Sequence, residues 1–265
     1  MSGARFGRAE VRELRRLLSE RDLAVVSQLA ELRLMSGRQI EAVHFPEERH
    51  ETAATAARHC RRVLARLVRD RLLVRLPRAV GGIRAGSQAF VYALGPVGYR
   101  LLQEDGSRLR VHEPGASFVD HQLAVSRLAV DLTLADRSGL LDLLILEGEP
   151  ACWRMLPAIG RSVLRPDLFL AIGAGQLEYR WFVEVDRGTH RNPALLRKAH
   201  LYESYYRSGV EQAVYEIFPR VAWITPDEVR AAQLKETLAG GEFTKGLMLV
   251  TTIDDALGIL AGGTS

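Results

Sequence analysis

A segment of alternating apolar and acidic residues, RWFVEVDRGTH at residues 180–190, most constrains what this chain can fold into. Alternation has the period of a β-strand, so Glu184 and Asp186 are expected on one face and Val183 and Val185 on the other. Two carboxylates on one face repel each other unless a cation or hydrogen-bond donors neutralise them. The segment therefore predicts either a charged site on a strand or a strand whose acidic face is simply solvated.

A third carboxylate, Asp167, precedes a second apolar run, RPDLFL at residues 165–170. Turn-forming residues at 173–176 separate the two runs, which favours a hairpin that brings Asp167 beside the acidic strand. Three carboxylates from adjacent strands are the oxygen ligands that Mg²⁺, or Mn²⁺ in its place, prefers. Asp167, Glu184 and Asp186 are therefore the predicted metal ligands.

The composition is that of a globular protein. Hydrophobic residues make up 47% and charged residues 26% of the 265 residues, a length that suits one large domain or two ordinary ones. No apolar run is long enough to cross a bilayer, and the two cysteines indicate neither a disulfide framework nor a zinc site. A cytoplasmic protein without a membrane partner is expected.

The order of elements in the first third is typical of a winged helix-turn-helix. Helical periodicity predicts one helix with Asp22 as its N-cap, a second after Ser36, and a third after Thr52. Two extended runs, LLVRLPR and QAFVYALG, follow with a glycine-rich loop between them. Three helices followed by a hairpin place the third helix in the major groove of DNA.

Arginines concentrate in this first third, although the net charge of the chain is only +4. Arginine abundance by itself is weak evidence because it also follows coding bias, so placement is the more informative observation. The predicted DNA-binding residues are those of the third helix and the loop, namely Arg58, Arg61, Arg62, Arg66 and Arg84. Such arginines serve phosphates more often than bases. The alternative is a winged helix used for dimerisation or protein contacts.

A Pro, Gly and Ser-containing segment, VHEPGAS at 111–117, predicts a linker between domains at 1–112 and 118–265. After it the element order αβββαβ, then αβ, indicates an α/β domain with a mixed central sheet. One stretch in this order, LDLLILEGEP, is compatible with either a strand or a helix. The predicted fold is α+β with two domains, a winged helix-turn-helix followed by this mixed-sheet domain.

Phosphodiester hydrolysis is a chemistry that this arrangement suits. It requires a metal together with a cation near the developing charge, and Lys198, in the helix after the acidic strand, is the leading candidate. Tyr202 lies one turn further along and could contact phosphate or pack in the core. His121 and Arg187 are accessory candidates, although His121 could equally cap its helix. Phosphate-cradling glycine motifs, HExxH and GxSxG are absent from the sequence.

The segments HQLAVSRLAVDL, RPDLFL, FVEVDRGTH, LLRKAHLYESYY and VAWITPD together resemble the replication-relaxation family of plasmid and mobile-element proteins, over roughly residues 20–230. That family is similar to the PD-(D/E)XK nucleases. The resemblance implies that Pro166 and Asp167 match the PD of that motif and that Glu184 matches its second acid. The motif's lysine falls at Asp186, so Lys198 would be a lysine displaced to the neighbouring helix.

The resemblance implies a DNA-binding protein of plasmid or mobile-element replication, with DNA and replication or mobilisation proteins as partners. Catalysis by Asp167, Glu184 and Lys198 would make it a Mg²⁺-dependent endonuclease or nickase. Because Asp186 replaces the motif's lysine, an alternative stays open. In that alternative the chain is a non-catalytic replication or transcription regulator, and a degenerate nuclease domain serves homodimerisation or partner recruitment.

Overall fold

The computed structural model describes residues 7–76, 90–102, 115–156, 162–188 and 192–262. Within them the chain has an α+β fold with a mixed five-stranded sheet, as predicted. The chain divides into two compact units, Met1–Val130 and Asp131–Ser265. Most of the predicted linker lies outside the described residues, so the predicted domain boundary stays a prediction. No helix in the described part of the chain combines the length and the apolar character needed to cross a membrane.

The first unit begins with helices, three of which have starts fixed by side-chain caps. The helices are α1 (Arg8–Leu17), α2 (Glu20–Leu32), α3 (Gly37–His44), α4 (Ala53–Arg69) and α5 (Pro96–Leu102). Ser36 and Thr52 cap α3 and α4, as predicted. The predicted N-cap of α2 is wrong, because Ser19 caps it. Asp22 lies in the first turn instead, where its carboxylate accepts a 3.1 Å hydrogen bond from the Ser19 N–H.

A small antiparallel sheet completes the first unit, formed by β1 (Leu34–Ser36), β2 (Leu73–Arg75) and β3 (Val91–Leu94) in the order β1-β3-β2. The extended runs predicted after α4 are β2 and β3, whereas β1 was not predicted. The predicted loop between β2 and β3, including Arg84, lies outside the described residues. Buried apolar residues of α2 and α4, including Val25, Leu29, Leu64 and Leu67, form the core of this unit.

The second unit is built on the five-stranded sheet. Helix α6 (Ala116–Arg137) leads into it, and the strands are β4 (Asp142–Gly148), β5 (Arg154–Leu156), β6 (Ser162–Leu164), β7 (Leu168–Ala174), β8 (Leu177–Val185), β9 (Arg220–Thr225) and β10 (Met248–Thr252). The sheet order is β10-β9-β8-β7-β4, and β5 pairs separately with β6. β4, β7 and β8 are antiparallel, whereas β9 and β10 run parallel to β8. The ambiguous stretch LDLLILEGEP is therefore strand β4.

Four helices accompany these strands, α7 (Asn192–Ser208), α8 (Val210–Tyr215), α9 (Glu228–Ala239) and α10 (Ala256–Leu260). A buried cluster joins the sheet to α7 and α9, with Phe182 and Trp223 from strands and Tyr202 and Leu234 from helices. α7 and α9 cover the face of the sheet that carries Phe182, and both faces of β8 are buried at its end, from Trp181 through Val185. The solvated reading of the acidic strand is therefore wrong.

Candidate functional site

Glu184 is the centre of a buried hydrogen-bonded cluster at the end of β8. Its side chain is only 5% exposed, and each of its carboxylate oxygens accepts a hydrogen bond from α7. Lys198 Nζ donates to Oε2 and forms an ion pair, and the Tyr202 hydroxyl donates to Oε1 at 2.5 Å. Residues four apart on a helix share a face, so α7 presents both donors together.

Burial and charge act in opposite directions on these groups. Burial raises the pKa of Glu184 to about 7 although the Lys198 ammonium lowers it, and the charge of Asp167 raises it further. Burial lowers the pKa of Lys198, but the carboxylates of Glu184 and Asp167 outweigh this effect and leave it raised. Burial, followed by Glu184, raises the pKa of Tyr202 well above its usual value, so Tyr202 remains a neutral donor.

Asp167 is positioned by the register of the β7–β8 hairpin. Leu168 pairs with Val183 across the hairpin. The Asp167 N–H donates to Val183 O at 2.9 Å. The Asp167 Oδ2 atom accepts a 2.7 Å hydrogen bond from the Val185 N–H. The structure thus brings Asp167, Glu184 and Lys198 to one end of the sheet.

Asp186 does not join this group. The strand ends at Val185, and the carboxylate of Asp186 accepts from Arg230 of α9, with Nη2 and Nε at 2.7 and 2.8 Å from Oδ2. Its Oδ1 accepts from the Gly188 N–H at 2.7 Å. In the described chain, no group of three or more His, Cys, Asp or Glu residues could hold a metal ion. The predicted three-carboxylate arrangement is therefore not formed.

Asp167 and Glu184 remain as a pair of hard oxygen ligands. Each Glu184 oxygen accepts one hydrogen bond and has a second lone pair, so the pair suits Mg²⁺ if water completes the coordination. Whether a metal binds there stays a prediction.

Two further groups near the site, Glu149 and Cys152, were not predicted from the sequence. The charge of Glu149 contributes to the raised pKa values of Lys198 and Cys152. Burial, and then the carboxylates of Glu149 and Asp167, raise the pKa of the Cys152 thiol to about 12, and its Sγ donates to Pro166 O at 3.1 Å. The pairing of β4 with β7 is the signal that could have located Glu149. Gly148 pairs with Leu168, so Glu149, which follows Gly148, lies near Asp167, which precedes Leu168.

In the first unit, α4 places its arginines opposite its buried stripe. Ala56, Cys60, Val63, Leu64 and Leu67 are buried, whereas Arg58, Arg61 and Arg62 are exposed. Arg66 differs, because its Nη2 donates to the buried Asp22 at 2.7 Å. Of the accessory candidates, His121 lies half-buried in the part of α6 within the first unit, and Arg187 is exposed just after β8.

A protein-family model described as "Replication-relaxation" matches residues 26–221, which is well over half of the chain. Neither the curated proteins nor the solved structures contain a match. The family match spans most of the first unit together with β4 through α8, and the first residues of β9, of the second.

Proposed function

The chain belongs to the replication-relaxation family, which indicates a role in the replication of mobile elements, and on this premise we propose that it binds DNA. The first unit would be a winged helix-turn-helix that contacts duplex DNA through α4. One observation carries this proposal, namely the exposed arginine face of α4 opposite its buried stripe.

The topology of the first unit supports the winged-helix assignment. β1 lies between α2 and α3, and β2 and β3 follow α4 to form the hairpin of the small sheet. In a winged helix-turn-helix the third helix of this order is the one that enters the major groove. Counted from α2, which precedes β1, the third helix is α4; α1 lies before this set.

The charge of α4 supports the same assignment. At 100° per residue, Arg58, Arg62 and Arg69 lie within about 40° of one another around the helix. All three are exposed, and no carboxylate of the described residues pairs with Arg58, Arg61 or Arg62. Asp70 pairs with Arg69, but the guanidinium groups of Arg58, Arg61 and Arg62 are not neutralised in this way and attract the phosphate backbone irrespective of sequence.

The test compares two variants of the full chain that each lose two exposed positive charges. Arg61→Gln/Arg62→Gln alters α4, and Lys235→Gln/Lys245→Gln alters the second unit. Fluorescence anisotropy with labelled duplex is expected to show about tenfold or weaker affinity, and a salt slope reduced by about two, for the α4 variant alone. Equal affinities of the two variants, or no binding by the wild type at low salt, would refute the proposal.

A second candidate function, Mg²⁺-dependent DNA cleavage or nicking, is favoured by the convergence of Asp167, Glu184 and Lys198. The three antiparallel strands with β9 parallel to β8 support a PD-(D/E)XK-like domain. A bound Mg²⁺ would supply a Lewis acid and an ionised water. Asp167 and Glu184 would hold it, and the Lys198 ammonium would offset negative charge developing on the phosphate.

Nicking of supercoiled plasmid tests this candidate. We expect activity that requires Mg²⁺ and is lost in Asp167→Asn and Glu184→Gln. The matched control is Asp142→Asn, because Asp142 is exposed and lies at the far end of β4 from the site. A wild type that is inert on single-stranded, duplex and branched DNA but still binds duplex would instead favour the non-catalytic regulator, which the pairing of Asp186 with Arg230 also suits.

A further inference from the structure

An arginine-lined cavity of about 650 Å³, open to solvent on the side of the exposed Arg62 and Arg69, is formed by residues of the first unit. Arg21 of α2 forms one side, and α4 contributes a strip that includes His59, Arg62, Arg66 and Arg69. The α4 residues are spaced three, four and three apart, so they follow one face of the helix. The wall of this cavity therefore carries four guanidinium groups.

The positive charge of the cavity exceeds the negative charge around it. Asp22 accepts from Arg66 at 2.7 Å and lies 3.6 Å from Arg21 Nη2, and Asp70 accepts from Arg69 at 3.1 Å. These two carboxylates offset two of the four charges. No carboxylate in the described chain pairs with Arg62. Burial lowers the pKa of His59, and the charges of Arg21 and Arg62 lower it further, which is consistent with a positive potential at the ring.

Two of the arginines, Arg21 and Arg66, are held in place while retaining donor capacity. A guanidinium has five N–H donors, and Asp22 takes one from Arg66. Arg21 packs over the Phe45 ring at 4.7 Å, and its Nη1 lies 3.5 Å from His59 Nε2. Its Nε is buried and has no hydrogen-bond partner. Guanidinium groups positioned in this way lose little conformational entropy when an anion binds.

We propose that this cavity binds a phosphate group. Phosphate presents paired oxygens that match the guanidinium fork, and a dianion would neutralise the two unbalanced charges. The volume is in the range of small-ligand sites, so either a phosphodiester of the DNA backbone or a soluble phosphorylated molecule could supply the group. The site does not depend on the proposed DNA binding, because a soluble phosphate suffices to fill it.

Calorimetric titration of the full chain with inorganic pyrophosphate, without DNA and at constant ionic strength, tests the site. Arg62→Gln removes a cavity cation, and Arg38→Gln is the matched control because Arg38 is an exposed arginine of α3 that does not line the cavity. We expect the affinity to fall about tenfold in Arg62→Gln and to stay unchanged in the control, since charge-assisted hydrogen bonds contribute at that order. Arg69→Gln should repeat the loss.

Equal effects in Arg38→Gln and Arg62→Gln, or no heat of binding with the wild type, would overturn the proposal whether or not the chain binds DNA. A second arm adds saturating pyrophosphate to the wild-type complex with labelled duplex, against chloride at the same ionic strength. Displacement of DNA supports the site as one for a backbone phosphate. Unchanged DNA binding supports it as one for a soluble phosphorylated molecule.

Discussion

Two opposing effects set the pKa of Glu184. Burial raises it, the Lys198 ammonium lowers it, and the result is about 7. Lys198→Met is therefore expected to raise this pKa further, whereas Lys235→Met, at an exposed position of α9, should not change it. Carboxyl ¹³C NMR titration measures both. Because the folded pKa lies above the usual 4.5, protonation of Glu184 stabilises the fold fully below that value. This contribution is lost as the pH rises through about 7, and a wild-type pKa near 4.5 would contradict the prediction.

Asp22 provides the opposite case in the first unit. Burial alone would raise its pKa, but hydrogen bonds from Arg66 and Ser19 and the charge of Arg66 lower it below the usual 3.8. Its contribution to stability is therefore present above pH 3.8 and is lost as the pH falls through the lower, folded value. Asp22→Asn is expected to reduce the free energy of unfolding by about 2 kcal/mol at pH 7, because it leaves partly buried guanidinium groups without a counter-charge.

Urea unfolding at pH 7 and at low pH measures the effect of Asp22→Asn, and the difference from the wild type should shrink at low pH. Asp70→Asn is the control, because its partner Arg69 has a side chain 73% exposed and such pairs contribute about 0–1 kcal/mol. A loss in Asp22→Asn that does not change with pH would show that the hydrogen bonds, and not the charge, stabilise α2.

At the scale of elements, the connection between β8 and α9 depends on the ion pair of Asp186 with Arg230, whose side chains are 1% and 13% exposed. Asp186→Ala would remove the carboxylate that accepts from Nε and Nη2 of the mostly buried Arg230, so we expect a loss of about 3 kcal/mol in urea unfolding. Asp142→Ala, at an exposed position of β4, should have little effect. Unchanged stability together with weaker Mg²⁺ binding in Asp186→Ala would restore Asp186 as a metal ligand.

Elements whose ends are marked by local chemistry were predictable from the sequence. The Ser36 and Thr52 caps begin α3 and α4, and Gly209, with φ of +71°, follows α7 as expected. β1 was missed because three residues are too few to show alternation, and LDLLILEGEP was ambiguous because a continuous apolar run has no distinguishing period. The position of α7 after β8 predicted that Lys198 lies beside Glu184, whereas the hydrogen bond from Tyr202 to Glu184 was not predicted. No local pattern reveals that Arg230, 44 residues away, contacts Asp186.

At the scale of the whole chain, the two proposed activities depend on different units. Binding is assigned to exposed guanidinium groups in Met1–Val130, and chemistry to buried carboxylates in Asp131–Ser265. Long-range attraction to phosphate requires exposed, unneutralised charge, whereas a catalytic carboxylate and ammonium gain strength from exclusion of water. Exposure of the arginines therefore supports the proposal of DNA binding by the first unit, and burial of the carboxylates supports the proposal of DNA cleavage by the second.

This separation predicts that substitutions in the two units change different kinetic constants. In plasmid nicking, Arg61→Gln/Arg62→Gln should raise KM about tenfold and leave kcat unchanged, because it removes contacts made equally before and during the reaction. Asp167→Asn should lower kcat by about a hundredfold or more while leaving the anisotropy-measured Kd for duplex unchanged. Weaker DNA binding by Asp167→Asn would contradict the division, since the second unit would then contribute to affinity. If the chain binds DNA without nicking it, only the α4 substitutions should change the Kd for duplex. That outcome would favour the non-catalytic regulator.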